Sequence, residues 1–204
     1  MRIYILAGGD STRMKNGDKP HITLLEDSSM LEFIIANFGA AFGEENVRIV
    51  AKNSDNFAEY EAEVIEDVKN AGPLGGIMTG LMDSDCDKNF FLACDMPFFP
   101  PRAAEFLLQR CSGDVLIPVD DDDYFEPLAA VYRRSCLPAV KRAVKRKRKQ
   151  IIAFFSEIDL EKIDKRQLQD KFNFNHMFFN VNTREQLQRA KREVLPNYLQ
   201  SFQE

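Results

Sequence analysis

The chain opens Arg2-Ile3-Tyr4-Ile5-Leu6-Ala7-Gly8-Gly9-Asp10-Ser11-Thr12-Arg13-Met14-Lys15-Asn16-Gly17-Asp18-Lys19, and the order of residue types in this stretch decides the fold. A short apolar run, residues 3–6, breaks at two glycines and passes into a polar loop holding Arg13 and Lys19. A strand, a glycine turn and then cations is how a chain presents backbone N–H groups and positive charge to a polyphosphate. The spacings Gly-x-x-x-x-Gly-Lys-Ser/Thr and Gly-x-Gly-x-x-Gly are both missing, so the loop is neither a Walker A loop nor a dinucleotide fingerprint. Gly8 and Gly9, lacking Cβ atoms, let the backbone turn sharply and approach a ligand closely. Arg13 can fork onto phosphate oxygens, and Lys19 can add a compact charge. Ala-Gly-Gly alone reads better as an ordinary βα turn with solvated cations; Arg13 and Lys19 in the same loop tip the reading to phosphate binding.

Outward from this loop, strand and helix alternate. Strands are expected at residues 2–6, 47–51, 63–66, 89–93, 115–119, 128–132 and 177–181, several of them apolar runs without polar alternation, as in strands covered on both faces. Ser29-Met30-Leu31-Glu32 has capping-box spacing and opens a helix to about Phe42. Further helices are expected after Pro100-Pro101 (103–110), over 137–147 and over 184–193. This pattern predicts an α/β fold: three Rossmann-like layers around a mostly parallel, mixed central sheet, with ligands bound beyond the carboxyl ends of the strands. A length of 204 residues predicts one domain over 1–204, with a nucleotide half at about 1–110 and an acceptor half at about 111–204.

Composition narrows the function. Hydrophobic residues make up 45% and charged residues 29% of the chain, which is globular composition. The net charge of −5 argues against nucleic acid as a partner. No apolar stretch reaches the ~20 residues that span a bilayer, so no membrane partner is expected, and without signal-peptide character the protein is expected in the cytoplasm. The four cysteines, Cys86, Cys94, Cys111 and Cys136, form no Cys-x-x-Cys pair and read as reduced thiols rather than a zinc site. With only His21 and His176, a histidine-based triad has little material.

Three later segments carry candidate chemistry. Ala71-Gly72-Pro73-Leu74-Gly75-Gly76-Ile77 suits a main-chain turn lying against a flat base or ribose, or simply a turn entering a helix at Gly75. Phe90-Phe91-Leu92-Ala93-Cys94-Asp95-Met96-Pro97 ends an apolar strand in one acid, Asp95, which is costly there unless paired or holding a cation. Mg²⁺ bridging substrate phosphates is the natural role. In Phe178-Phe179-Asn180-Val181-Asn182-Thr183, Asn180 and Asn182 would share a facing on an extended strand and could complete a metal or phosphate shell. Alternatively, Asn182 or Thr183 caps the following helix. Glu66-Asp67 could accept from a base or ribose, or cap a turn, and Glu126 could line an acceptor side. Asp120 to Asp123 read as a solvated loop. Lys141, Arg142, Lys145, Arg146, Lys147, Arg148 and Lys149 read as the exposed face and end of a helix or, less simply, as a docking patch for an anionic partner.

Together these segments resemble the molybdenum cofactor guanylyltransferase family (MobA). Leu6-Ala7-Gly8-Gly9, Arg13-Met14, Asp18-Lys19, Gly72-Pro73-Leu74, Cys94 to Pro97, Glu126-Pro127-Leu128 and Asn180 to Thr183 carry the likeness, in order, from Ile3 to about Ala190. The resemblance implies a nucleotidyltransferase that moves GMP from MgGTP to molybdopterin-bound molybdenum and releases pyrophosphate. It implies GTP contacts at Leu6, Ala7, Gly8, Gly9, Lys19, Asn53, Asp67, Gly72 and Asp95, and Mg²⁺ on Asp95 and Asn182. Arg13, Lys19, Asp95, Asn180 and Asn182 would be the catalytic set. Implied partners are GTP, the molybdenum-loaded pterin, and proteins that deliver the cofactor or accept the product. Lys15 departs from the glycine that follows Arg-Met in the family. The alternatives are a related transferase using CTP or a sugar phosphate, a non-catalytic nucleotide-binding protein, and an anion or RNA binder built on the basic cluster.

Overall fold

The computed structural model describes residues 1–7, 19–25, 28–67 and 71–200. Its strands are β1 (Arg2–Leu6), β2 (Thr23–Leu25), β3 (Ser28–Ser29), β4 (Val47–Ala51), β5 (Glu63–Glu66), β6 (Lys88–Ala93), β7 (Val115–Val119), β8 (Ala129–Arg133) and β9 (Leu160–Asp164). Its helices are α1 (Met30–Phe42), α2 (Pro73–Asp83), α3 (Pro101–Arg110), α4 (Leu137–Lys145), α5 (Lys165–Lys171), α6 (Arg184–Arg189) and α7 (Leu195–Gln200). Strands β2 and β3 form a small antiparallel pair, and the other seven make one sheet in the order β5-β4-β1-β6-β8-β7-β9. β1 lies parallel to β4 and β6, β4 to β5, and β7 to β9. Only β8 runs the other way, antiparallel to both β6 and β7.

The apolar runs are continuous because they feed two cores at once. Along β1, Ile3 and Ile5 join the cluster under α1 and α3, while Tyr4 and Leu6 join the one under α2 and α4. Along β6, Phe90 and Leu92 face the first cluster and Phe91 the second. Side chains alternate along a strand, so a strand covered on both faces must be apolar at every position. The capping box at the start of α1 forms as expected: Glu32 N–H donates to Ser29 Oγ at 3.2 Å, and Ser29 N–H donates to Glu32 Oε2 at 2.6 Å.

The structure departs from the expected pattern in three places. Residues 177–181 are not a strand; Met177 and Val181 are buried, and Phe178 and Phe179 stack edge-on or tilted against Phe99 and Phe98. Their apolar character serves aromatic packing rather than strand pairing. The sheet instead gains β9 as an edge. Its sequence, Leu-Glu-Lys-Ile-Asp, buries only Ile163 and hides its strand character among charges. Helix α2 begins at Pro73, with Gly72 before it at φ +64°, a conformation natural to glycine and followed by proline at the first helical position.

Two ends also move. Helix α4 stops at Lys145, and Lys147 takes φ +57° beyond it. The last helix runs on through a π-helical turn over Ala190–Val194 into α7. Among the described residues, no helix is long and apolar enough to cross a membrane.

Candidate active site

The chain leaves β1 through α1 on one face of the sheet to reach β4, and reaches β6, on the other side of β1, through α2 on the opposite face. This reversal of strand order opens a crevice at the carboxyl ends, the usual ligand position in such sheets. A cavity of about 370 Å³ lies there. Leu6 and Ala7 reach it from the end of β1, Lys52 from β4, Asp67 from β5, Gly72 from the start of α2, and Cys94 and Asp95 from β6.

Backbone hydrogen bonds hold these strand ends together beyond the strands themselves. Ala7 N–H donates to Val50 O at 2.9 Å, Asp67 N–H to Ala51 O at 2.7 Å, and Cys94 N–H to Leu6 O at 3.2 Å. On the far side, Ala93 N–H donates to Leu128 O at 2.9 Å, and Val181 N–H to Asp95 O at 2.8 Å. That last bond sets residues 180–182 beside Asp95 although they form no strand. Asp67 lies against the first turn of α2, and its Oδ1 accepts from Thr79 Oγ1 at 3.2 Å. Lys19–His21 form a short 3₁₀ turn whose Pro20 also lines the cavity. His21 ties this turn down, with Nδ1 at 2.7 Å from Tyr60 Oη and 3.1 Å from Glu59 Oε1.

Of the expected site residues, Leu6, Ala7, Asp67, Gly72 and Asp95 therefore converge on one cavity. Gly8, Gly9, Arg13 and Lys15 lie outside the described residues, as does the side chain of Lys19. Asn53 does not line the cavity. Its side chain accepts the Asp55 N–H at 3.0 Å and caps a 3₁₀ turn, and the neighbouring Lys52 faces the cavity in its place. Asn180 donates through Nδ2 to Phe178 O at 3.2 Å, and Asn182 N–H donates to Gln186 Oε1 at 2.7 Å. Thr183 caps α6, its hydroxyl accepting the Gln186 N–H at 3.1 Å.

Charge gathers on the β8 side of the cavity. Glu126 stands two residues before Leu128, another lining residue, and pairs with Lys165 at 3.1 Å. Burial holds the Glu126 carboxyl above the usual range; Lys165 opposes this, while the negative charges of Asp95 and Asp120 add to it. Lys52 was legible in principle, because it directly follows a strand pointed at the site. Lys165 was not, because it follows β9, whose strand character is masked.

The acidic loop behaves as a solvated turn. Asp120 Oδ1 accepts the N–H groups of Asp122 and Tyr124, Asp123 pairs with Lys162, and Asp121 pairs with Arg166. Among the described residues, no group of three or more His, Cys, Asp and Glu could cage a metal ion. A single half-buried carboxylate at a strand end suits a different arrangement, in which Mg²⁺ arrives on substrate phosphates and takes one or two protein ligands.

Mixed sheet, helical layers and a cavity at the strand reversal make this the Rossmann-like nucleotidyltransferase fold. The family model for the MobA-like NTP transferase domain matches residues 3–162. A relative from Methanosarcina mazei, named a probable molybdenum cofactor guanylyltransferase, is 31% identical over 196 residues, covering 90% of this chain and 87% of that one. The molybdenum cofactor guanylyltransferase of Desulfosudis oleivorans is 28% identical over 193 residues, covering 93% and 94%. The crystal structure of molybdopterin-guanine dinucleotide biosynthesis protein A from Archaeoglobus fulgidus matches with a TM-score of 0.82 at 26% identity, covering 97% of this chain and 100% of that one. The chain belongs to the MobA-like NTP transferase family.

Proposed function

We propose that this protein transfers GMP from GTP to the terminal phosphate of molybdopterin carrying molybdenum, forming the guanine dinucleotide cofactor and releasing pyrophosphate. The observation that carries this reading is the convergence of Leu6, Ala7, Asp67, Gly72 and Asp95 on one cavity at the strand reversal. An oxygen of the acceptor phosphate forms a bond to the α-phosphorus of GTP. The bond from that phosphorus to the α,β-bridging oxygen breaks, and its electron pair leaves with pyrophosphate. Such a displacement asks little covalent chemistry of the protein; positioning and charge stabilisation supply the rate.

The main chain around Leu6, Ala7 and Gly72 packs against the nucleotide, and Asp67 accepts from its base or ribose. Arg13 and Lys19 stabilise charge on the phosphates and the leaving group. Asp95 would hold Mg²⁺, with Asn182 as a second ligand, and Asn180 orients the acceptor. The chemistry such an ion would supply, bound with the nucleotide, is neutralisation of charge on the phosphate oxygens. The whole chain acts as one domain, its first half holding the nucleotide and its second half the acceptor.

Incubation with MgGTP and molybdenum-loaded molybdopterin tests the reading. Pyrophosphate and a guanine dinucleotide are expected, and CTP should compete poorly with GTP. Absence of product, or product with CTP alone, would overturn it.

A further inference from the structure

On the β8 side of the cavity lies an ion pair for which the chemistry above has no use. Lys165 leaves the carboxyl end of β9 as the first residue of α5. Its Nζ stands 3.1 Å from Glu126 Oε2, 3.9 Å from Asp120 Oδ2, and 5.2 Å from the centroid of the Phe178 ring. The two partners are mostly buried, with side-chain exposures of 17% for Lys165 and 20% for Glu126. Removing two charges from water costs about as much as their attraction returns, so such a pair is poor evidence of a stabilising role.

Its location gives it a use. Glu126 precedes Leu128, which lines the cavity and accepts the Ala93 N–H. Phe178 precedes Val181, which donates to Asp95 O. Lys165 thus bridges the two segments that flank Asp95 on the side away from β4. The carboxylate of Asp95 also acts on Glu126 through space, which puts the pair within electrostatic reach of the reaction centre.

Bringing an acceptor phosphate to a nucleotide triphosphate sets two anions side by side and calls for a cation on the acceptor's flank. Among the described residues, the cavity wall itself holds one cation, Lys52, and that stands at the end of β4 on the opposite flank. A lysine ammonium on a flexible stem, with three rotatable donors, can leave one anion for another.

We infer that Lys165 is the acceptor-phosphate subsite: its ammonium rests on Glu126 in the empty protein and exchanges that carboxylate for the phosphomonoester of the incoming acceptor. The inference rests on the transferase reading proposed above.

The test is steady-state transfer with GTP and acceptor varied separately. Lys165→Met should raise the acceptor KM about 10- to 100-fold, the loss of one charge-assisted hydrogen bond, with the GTP KM held within about twofold. Lys165→Arg should keep most of the acceptor affinity. Glu126→Gln removes the resting partner and should lower the acceptor KM. The double variant Lys165→Met/Glu126→Gln leaves no buried charge unpaired and carries the test should the single variant fold poorly. It should keep the raised acceptor KM.

Recovery of a wild-type acceptor KM in the double variant would make the pair purely structural and overturn the inference, as would an unmoved acceptor KM in Lys165→Met. A wild-type protein that makes no product would instead defeat the transferase reading itself.

Discussion

The two flanks of the cavity are made of different material. On the flank of β1, β4 and β5 the wall is mostly main chain and apolar groups, Leu6, Ala7, Val50, Gly72 and Gly76, with Lys52 at the end of β4 and Asp67 held by Thr79. On the flank of β8 and residues 178–182 the nearby groups are charged and already paired: Glu126 with Lys165, beside Asp120 and below Phe178. A wall of backbone has one shape and presents it without rearrangement. An ion pair beside the wall can exchange partners. The first suits a ligand recognised by fit, the second an anion that must displace something to enter.

Asp95 is where the flanks meet, and its removal has the largest expected effect. Asp95→Ala should lower transfer by at least about 10²-fold, as loss of one preorganised charge contact does, while the melting temperature stays close to wild type because the side chain is only half-buried. Full activity in that variant would break the comparison at its centre.

Next comes the packing that keeps the first flank rigid. A Cβ added at Gly80 of α2 would stand 2.7 Å from Phe91 Cε1 and 3.0 Å from Tyr4 Cγ. Gly80→Ala should cost about 1–3 kcal/mol of stability through overpacking, read as a shift in the urea midpoint. An unshifted midpoint would mean that the helix over this flank slides freely.

The capping box of α1 lines neither flank, although Ser29 Oγ stands 3.5 Å from Tyr60 Oη, and Ser29→Ala should cost about 1 kcal/mol in the same measurement without altering either substrate's KM. Any change in KM would show that the small β2–β3 pair belongs to the site.

The smallest effect belongs to the second flank and shows itself with pH. Burial raises the Glu126 pKa in the folded protein. A carboxyl with a raised folded pKa favours the fold in its protonated form, and that contribution is lost as pH rises through the folded value. The wild type should therefore lose stability relative to Glu126→Gln as pH climbs from the usual carboxylate range through that value, and the two melting curves should draw together at acid pH. A gap independent of pH would mean that the Glu126 carboxyl titrates no differently folded and unfolded.

How much of this could be read from the sequence depended on where each residue pointed. β1, β4 and β7 lie at the expected bounds because strands buried on both faces leave mostly apolar runs, and β5 does so although only its Val64-Ile65 centre is apolar. β9 was hidden by having one buried side chain, and residues 177–181 imitated a strand because aromatic packing asks for the same residues as a sheet. Asp95 was legible as a lone acid after an apolar run. Lys52 rather than Asn53 lines the cavity, since one residue past a strand end decides which side chain faces the crevice. Lys165 could not be found, because its meaning depends on Glu126 and Phe178, far apart in the chain and joined only by the fold.

The single reversed strand has a consequence for how this protein can change. Because β8 runs against its neighbours, the link from β7 to β8 spans residues 120–128 at the same rim as the cavity, and both of its ends are fixed in the sheet. Every residue inserted there would extend the rim without moving a strand out of register. Homologues that have to accommodate a bulkier acceptor would be expected to grow at this hairpin first, and a designer seeking a new acceptor would start by exchanging it.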